Sequence, residues 1–221
     1  MKTYFTSLGR WELLDTFSLR VAEAVVKLHL VNIKENKNIL KIDHKRQVSR
    51  VVSKDKSYVI KEFRKPGPWW IFRPDYISWK NSIRLKELDI AVPSVYAWLR
   101  SKDGRGFIIM EDLGDQVLKS VLQNIGPELP ERVELIKKLS KLVASVHSKN
   151  LVYGDMKLAN VLLKDGSLFL VDMDKVKLKK RLNLRDRAYN LVQILNSFPK
   201  DLTKRELDIF LETYVLSLHK Q

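Results

Sequence analysis

The stretch that decides the fold is LVYGDMKLANVLLKDGSLFLVDMDKVK, residues 151–177. It contains two apolar runs, NVLL and SLFLVD, and the KDG between them predicts a tight hairpin turn. A loop ahead of the hairpin carries Asp155, Lys157 and Asn160, and Asp172 ends the second run. Polar residues of these types around two apolar strands favour chemistry, although Asp and Asn also occur as ordinary turn and cap residues.

The order of these polar groups is the one that phosphoryl transfer in kinases requires. One carboxylate must meet the acceptor hydroxyl, while an amide and a second carboxylate hold magnesium against the phosphates. Placing Asp155 and Asn160 on one loop and Asp172 at the adjoining strand end lets the three side chains converge.

The loop resembles the kinase catalytic loop H-R-D-L-x-x-x-N, since it reads YGDMKLAN, and VDMD lies where D-F-G would be. This resemblance implies that Asp155 orients or deprotonates the acceptor hydroxyl. It implies that Lys157 neutralises charge on the transferred phosphoryl group, and that Asn160 and Asp172 are the Mg²⁺ ligands.

Two upstream segments resemble the ATP-binding half of a kinase. The strand motif V-A-I-K is matched by SYVIKEF, which implies that Lys61 contacts the α- and β-phosphates of ATP. The strand and hinge that bind adenine are matched by IIMEDL, with Met110 at the gatekeeper position and Glu111 and Leu113 offering backbone groups. Four matches in the right order, each on the expected type of element, favour a kinase over chance.

The finer resemblance is to the bacterial lipopolysaccharide core kinases, which phosphorylate Kdo or heptose on lipid A. The resemblance covers residues 40–200 approximately. It is carried by Gly154 before the catalytic aspartate, by D-x-D-K in place of D-F-G, and by the downstream segment RDRAYNLVQILNSF. In that segment the resemblance implies that Asn190 braces the catalytic loop. The segment SWKNSIRLKELDIAVP is similar to a helix and strand of the family. The resemblance implies a lipid A-core glycolipid substrate, and D-x-D-K favours Kdo over heptose.

The chain departs from the protein-kinase pattern at the phosphate loop and at the helix glutamate. No Gly-rich loop is present, so Lys45 and Arg46, or backbone amides of the DHKRQ turn, would have to cover the triphosphate. Ser78 aligns with the glutamate that pairs with the strand lysine, and Glu87 and Asp75 are the two candidate replacements.

Two further departures concern the catalytic loop and the acceptor. Tyr153 replaces the usual histidine, which bears on bracing of the loop more than on chemistry. Only about ten residues separate Asp174 from the next predicted helix, and this short distance argues against a protein substrate docked on an activation segment.

The predicted fold class is α+β: a two-lobed protein-kinase-like fold with a β-rich N-lobe and a mainly helical, minimal C-lobe. The N-lobe is expected over residues 1–113 and the C-lobe over residues 114–221. Apolar spacing predicts an N-terminal helix from about Glu12 to Val31, a packed helix in ISWKNSIRLKELDI, and a five-turn helix in ERVELIKKLSKLVASVHSKN. Strands are predicted in NILKI, QVSRVV and SYVIKEF, and helix from about Leu184 to the end.

Composition limits the partners. The 221 residues hold 41 Lys+Arg and 26 Asp+Glu, and the net charge of +15 favours polyanions: anionic membrane, phosphorylated substrate or nucleic acid. Nucleic acid is the least favoured because no binding motif is recognised. The chain has no cysteine, which excludes disulfides and thiolate chemistry, and no window is apolar enough to span a membrane. A cytoplasmic protein, peripheral on the inner face of the membrane, is expected.

Two surface segments have more than one reading. The aromatic segment around Trp69, Trp70 and Phe72 is either an interfacial anchor or packing against the helix that carries Trp79. The basic run is either a solvated face or a site for phosphorylated lipid A core; it comprises Lys175, Lys177, Lys179, Lys180 and Arg181. At the level of function, another small-molecule or protein kinase and a catalytically silent kinase-like binding protein stay open as alternatives.

Overall fold

The computed structural model describes residues 1–64 and 73–219. The chain divides into two compact units: unit 1 comprises Met1–Ile83 and Pro93–Asp112, and unit 2 comprises Arg84–Val92 and Leu113–Gln221. No helix in the described ranges is both long enough and apolar enough to cross a membrane. The aromatic segment with Trp69, Trp70 and Phe72 lies outside the described residues, so both of its readings stay predictions.

Unit 1 is built on a seven-stranded antiparallel sheet in the order β1-β2-β6-β7-β5-β4-β3. Its strands are β1 (Lys2–Phe5), β2 (Gly9–Leu13), β3 (Ile39–Ile42), β4 (Arg46–Ser53), β5 (Lys56–Phe63), β6 (Val95–Ser101) and β7 (Gly106–Glu111). The three strands predicted between Asn38 and Phe63 are therefore confirmed. Alternate burial along β4 matches the two-residue period of a strand with one face in the core, whereas the last four residues of β5, from Ile60 to Phe63, are all buried.

The N-terminal helix α1 spans Leu19–Glu35, so the prediction that it begins at Glu12 is wrong. Glu12 lies in β2, which pairs with β6 and buries Trp11 and Leu13 in the core. The helical spacing of apolar residues in this region overlaps a strand whose partner lies far away in the chain, and pairing with that partner decides the structure.

Helix α1 is attached to the sheet by a buried polar network. The His29 ring lies 2.7 Å from Ser49 Oγ on β4 through Nδ1 and 3.1 Å from Glu62 Oε2 on β5 through Nε2. Burial raises the pKa of the Glu62 carboxyl, but the hydrogen bond with His29 and the nearby Arg105 outweigh this and leave the pKa below its usual value. The network connects α1 to β5, the strand that carries Lys61.

Helix α2 spans Pro74–Glu87, and the boundary between the two units falls within it. Trp79 of α2 is fully buried with Phe63 of β5 and Trp98 of β6 in a second apolar cluster of unit 1. The predicted helix in this segment is confirmed. Pro93 precedes β6, so the interior strand of the sheet loses no hydrogen-bond donor.

Unit 2 is mainly helical, with α3 (Leu118–Asn124), α4 (Pro130–Ser148), α5 (Leu184–Leu195) and α6 (Lys204–His219). Its core surrounds α4, the helix predicted from the strongest amphipathic pattern in the chain. Arg132 at the start of α4 is fully buried and forms a salt bridge at 2.9 Å with Glu206 of α6. The expected helix from Leu184 onward is two helices, which are separated around Pro199. The seven-stranded sheet and the six α-helices within residues 1–64 and 73–219 confirm the predicted α+β class.

Candidate active site

Two small two-stranded sheets in unit 2 hold the polar loops. Strand β8 (Leu151–Tyr153) pairs with β11 (Val176–Leu178), and β9 (Val161–Lys164) pairs with β10 (Ser167–Leu170). The loop with Asp155 follows β8, and the loop with Asp172 lies between β10 and β11. Because Tyr153 of β8 pairs with Val176 of β11, the loop with Asp155 begins beside the point where the loop with Asp172 ends.

Asp155 lies at the centre of a short hydrogen-bond network. Its Oδ2 accepts from Lys157 Nζ at 2.9 Å and from Asn160 Nδ2 at 3.2 Å. Within residues 1–64 and 73–219, no hydrogen bond reaches Oδ1 of Asp155. The carboxylate is about one-third exposed, so Oδ1 can accept a hydrogen bond from an incoming hydroxyl.

Asn160 is oriented by the loop that it belongs to. It ends the 3₁₀ turn Leu158–Asn160, and its Nδ2 donates to the Asp155 carbonyl at 2.8 Å as well as to the carboxylate. With the amide nitrogen engaged, the amide oxygen Oδ1 accepts no hydrogen bond within the described part of the chain. An amide oxygen held in this way fits the oxygen ligands that Mg²⁺ prefers.

Asp172 lies next to Asn160 through the backbone. The amide of Val171 donates to the Asn160 carbonyl at 2.9 Å, which joins the two loops one residue before Asp172. Asp172 has φ 71° and ψ 65°, a left-handed conformation that costs energy for any residue other than glycine. Asp tolerates it better than most, and such strain is common where a side chain must be aimed at a ligand.

The structure therefore brings Asp155, Lys157, Asn160 and Asp172 together in unit 2. Among the described residues no group of three or more His, Cys, Asp or Glu side chains could hold a metal ion. A magnesium ion that arrives with nucleotide does not need such a group, since one or two protein oxygens and the phosphates complete its octahedron. The donor set of Asn160 and Asp172 fits this kind of site.

Tyr153, the last residue of β8, connects the loop with Asp155 to the loop with Asp172. Its ring is buried, and its hydroxyl donates to the carbonyl of Val171 and lies 3.0 Å from that of Asp172. Burial raises the pKa of the Tyr153 phenol well above its usual value, and the nearby carboxylates, first that of Asp172, add to the effect. The hydroxyl therefore keeps its proton and acts as a donor to the backbone that carries Asp172.

Asn190 of α5 braces the same residue through its backbone. Asn190 Oδ1 accepts from the Tyr153 amide at 3.0 Å, and Nδ2 donates to the Tyr153 carbonyl at 2.5 Å. Gln193, one turn later, donates to the Gly154 carbonyl at 3.3 Å and accepts from the Met156 amide at 3.2 Å. Sequence reasoning found Asn190 but missed Gln193, although the three-residue spacing on one helix face was the available signal.

Gly154 is required by a close approach of two backbones. A Cβ at this position would lie 2.8 Å from both the Cβ and the carbonyl oxygen of Lys175, and the Gly154 amide donates to that oxygen at 3.0 Å. The glycine before Asp155 therefore allows β8 and β11 to stay paired up to the loop that carries Asp155.

The predicted ATP-binding residues Lys61, Met110 and Glu111 lie in unit 1, and Leu113 begins the second segment of unit 2. Lys61 is 7% exposed on β5, and its ammonium lies 5.0 Å from the centre of the Phe63 ring. Glu111 ends β7, where its amide donates to the Ser94 carbonyl at 2.8 Å.

The end of the predicted hinge is held by an ion pair that the sequence did not reveal. Asp112 accepts from Arg50 of β4 at 2.6 Å and from the Ser57 hydroxyl of β5 at 2.7 Å. The pair lies in unit 1 and connects the residue after β7 to β4 and β5. No local pattern marks it, because the partners are 62 and 55 residues apart.

The two candidates for the helix glutamate lie in different units. Asp75 is fully buried, and its Oδ2 accepts from the Trp98 indole at 2.9 Å. Glu87 is exposed at the end of α2 and belongs to unit 2.

Two backbone amides of the β3–β4 turn donate hydrogen bonds to the Asp43 side chain of the same turn. Asp43 Oδ1 accepts from the amides of Lys45 and Arg46, each at 2.8 Å. Burial raises the pKa of the Asp43 carboxyl, but the hydrogen bond from the Lys45 amide and other neighbours lower it by more. The pKa therefore lies below its usual value, and the carboxylate stays charged. The side chains of Lys45 and Arg46, rather than these two amides, are therefore the groups of this turn that can meet phosphate.

Two known proteins resemble this chain, one in fold and one in sequence. A solved structure of WaaP in complex with acyl carrier protein has the same fold, with a TM-score of 0.68 and 20% identity over 94% of this chain and 89% of that one. The KEOPS complex subunit Bud32 from Pyrococcus abyssi (strain GE5 / Orsay) is 28% identical over 90 residues, which are 40% of this chain and 38% of Bud32. The chain therefore shares the fold of that WaaP structure, and it spans less than half the length of Bud32.

A family model matches a longer part of the sequence than Bud32 does. The model of the lipopolysaccharide kinase (Kdo/WaaP) family matches residues 78–214, which is more than half of the chain. The chain belongs to this family. Membership supports phosphotransferase activity, and a kinase family implies ATP as the phosphoryl donor, generally with Mg²⁺.

Proposed function

We propose that this protein is a Mg·ATP-dependent kinase that phosphorylates a sugar hydroxyl of the lipopolysaccharide inner core, either Kdo or heptose on lipid A. The single observation that carries the proposal is the contact network of Asp155 with Lys157 and Asn160, joined through Val171 to Asp172. These groups offer an acceptor for the hydroxyl proton, a cation for the phosphoryl charge and oxygen ligands for magnesium.

The roles follow from the position of each group. Asp155 orients the acceptor hydroxyl through Oδ1, the oxygen that its neighbours leave open. Lys157 is held beside it at 2.9 Å, where its charge stabilises the transferred phosphoryl group. Asn160 and Asp172 would hold Mg²⁺, which screens the phosphate charge when bound. Lys61, Met110, Glu111 and Leu113 are proposed to bind ATP, as the family resemblance implies.

Two features of unit 2 support a small glycolipid acceptor over a protein. Only residues 179–183 separate β11 from α5, so no activation segment of protein-kinase length lies there. The basic run from Lys175 to Arg181 has all five of its cationic side chains exposed directly after the Asp172 loop. An exposed cationic face beside the catalytic loop suits a phosphorylated lipid A core, with charge supplying attraction.

The proposal is tested with defined acceptors. The protein is incubated with Mg·ATP and, separately, Kdo₂-lipid A and its heptosylated form, and each product is examined by mass spectrometry. A phosphate-sized mass gain on one acceptor, absent in the Asp155→Asn variant, supports the proposal and identifies the sugar. ATP turnover with other small alcohols but with neither glycolipid would overturn the acceptor assignment.

We infer two surface partners as part of the same proposal. The net charge of +15 favours peripheral contact with the anionic inner face of the cytoplasmic membrane. The solved WaaP relative was captured with acyl carrier protein, and a carrier protein is a candidate partner here too. Flotation with anionic and neutral liposomes tests the first, since equal binding to both would contradict it. Titration with purified acyl carrier protein tests the second, and no heat of binding would contradict it.

A further inference from the structure

Unit 2 contains an apolar groove on the far side of the catalytic-loop brace. It has a volume of about 720 Å³ and lies among the end of α4, the start of α5 and the end of α6. Five of its eleven lining residues are aliphatic, namely Leu184, Ala188, Leu191, Val215 and Leu218. Leu184 is 84% exposed and Val215 is 49% exposed, so the groove leaves apolar surface open to water. Such surface is uncommon unless it binds something.

The groove has one cationic side chain that is poorly satisfied. Arg187 of α5 lines it, and the buried Nε of Arg187 has no hydrogen-bond partner among the described residues. The Nε itself is closed to solvent, so a ligand in the groove meets the terminal nitrogens of the guanidinium, for which no hydrogen bond or ion pair is described within residues 1–64 and 73–219. None of the eleven residues that line the groove is an aspartate or glutamate, so nothing in the lining neutralises the guanidinium.

Arg187 also lies near the two polar groups at the inner end of the groove. Burial lowers the pKa of His147 to about 4, and the charge of Arg187 adds to this effect. Burial raises the pKa of Tyr214, and the charge of Arg187 opposes it. The two groups hydrogen-bond each other at 2.7 Å, so the inner end of the groove is polar and cationic while its walls are apolar.

We propose that this groove binds a single-chain amphiphile that ends in a carboxylate, with the head on Arg187 and the chain along the aliphatic walls. A planar carboxylate matches the guanidinium fork, and the chain covers the exposed leucine and valine surface. The inference goes beyond the proposed kinase activity, since neither the acceptor nor ATP is needed for it.

The groove shares its inner wall with the brace of the catalytic loop. His147 Nε2 lies 3.3 Å from Asn190 Oδ1, the atom that accepts from the Tyr153 amide. A ligand that orders Arg187, His147 and Tyr214 therefore stabilises the brace of the loop that carries Asp155. Occupancy of the groove is expected to slow hydrogen exchange of the Tyr153 amide.

The test uses the full chain without nucleotide, and dodecanoate as the probe below its micelle concentration. Calorimetry is expected to show saturable binding of dodecanoate and no binding of acetate. Dodecanol should bind more weakly than dodecanoate by roughly tenfold, because one charge-assisted hydrogen-bonded pair is lost. Arg187→Gln should remove the preference for the carboxylate. Arg185→Gln is the matched control on an exposed position of the same helix, and it should leave the preference unchanged.

A second pair of variants keeps the test independent of folding at Arg187. Val215→Glu should repel dodecanoate, whereas Val215→Lys should retain it, because the two variants differ only in the sign of the charge at the groove wall. Equal affinity for dodecanoate and dodecanol, equal losses in the Arg187 and Arg185 variants, or no saturable binding would each overturn the proposal. Failure of phosphate transfer would leave these results untouched, because no step of the test requires catalysis.

Discussion

Each group of the candidate catalytic loop has a defined partner. Asp155 presents one carboxylate oxygen to Lys157 and Asn160 and leaves the other available. This division explains how a partly exposed aspartate can be oriented before a substrate arrives, which lowers the cost of positioning in the transition state.

Asp155→Asn tests the role of that oxygen. Asparagine keeps the shape of the side chain and can still accept from Lys157, so ATP binding and thermal stability should be retained. Turnover should fall roughly 10²-fold or more, the usual contribution of a positioned base. Asp165→Asn is the control, because Asp165 lies exposed in the β9–β10 turn with a positive φ that asparagine tolerates. Full activity of the Asp155 variant in a coupled ATPase or transfer assay would refute the role.

Gly154→Ala tests the close approach of β8 and β11. The added methyl would lie 2.8 Å from the Lys175 carbonyl, so the strands must separate. Loss of about 1–3 kcal/mol of unfolding free energy is expected from such overpacking, together with reduced turnover. Gly126→Ala is the control, since its methyl would meet only the side chain of Leu129, with Cδ1 at 3.4 Å and Cγ at 3.8 Å. Chemical denaturation of the two variants decides, and equal stabilities would contradict the account.

At the scale of elements, the two loops depend on the brace made by β8 and α5. Tyr153 holds the Asp172 loop with its hydroxyl, and Asn190 holds the backbone of Tyr153 on both its amide and its carbonyl. The brace continues through His147 to Tyr214 of α6, so three helices and one short strand position a single loop.

Tyr153→Phe removes the hydroxyl and leaves the ring. One buried carbonyl contact is lost, so unfolding free energy should fall by about 1–2 kcal/mol. Turnover should fall by roughly tenfold to 10²-fold, because the Asp172 loop loses its support and small misplacements near the chemistry are costly. In Tyr4→Phe, the control, the hydroxyl removed makes no described hydrogen bond. A Tyr153 variant with unchanged kcat and stability would show that the hydroxyl positions nothing.

The His147 imidazole predicts a pH dependence of stability. Its pKa is lowered from 6.5 to about 4 in the folded protein, chiefly by burial. Above pH 6.5 the ring is neutral in both states and the full stability is present. Between pH 6.5 and about 4 the unfolded chain binds a proton that the folded chain does not, so stability decreases as pH falls, by at most about 3 kcal/mol.

His147→Gln separates this group from the carboxylates that also titrate in acid. The variant should lose less unfolding free energy than the parent over the same pH range, because glutamine does not titrate. Urea denaturation at several pH values measures the difference. Parallel pH profiles for the two proteins would mean that the imidazole is not held neutral by the fold.

The whole molecule shows what local patterns can and cannot predict. The hairpin at KDG and the nearness of Asp155, Asn160 and Asp172 followed from residues 151–177, and the α4 helix from the apolar spacing of the segment before them, because strand order, loop length and helical spacing are local properties. The placement of Glu12 in a strand did not, since its partner β6 lies more than eighty residues away. The Arg50–Asp112 pair was missed because side-chain partners 62 residues apart leave no periodic signal. Gln193 and the capping of the β3–β4 turn by Asp43 were missed although each has a local signal, the helix spacing from Asn190 and an aspartate two residues before the amide that it caps.

The roles of Lys61, Met110, Glu111 and Leu113 stay predictions, as do the catalytic and metal roles in unit 2. The family and the fold are established by a match over residues 78–214 and by the likeness to WaaP. The chain thus has the scaffold of a lipopolysaccharide kinase, and the chemistry of its site is open to direct measurement.

The central claim is that unit 2 holds magnesium together with nucleotide through Asp172 and Asn160. Isothermal titration of ATP, with and without Mg²⁺, into the parent chain and Asp172→Asn tests it most directly, because asparagine keeps the left-handed backbone but removes the charge. The account predicts that Mg²⁺ strengthens ATP binding to the parent and gives little or no gain in the variant. The same metal-linked gain in both proteins would contradict it.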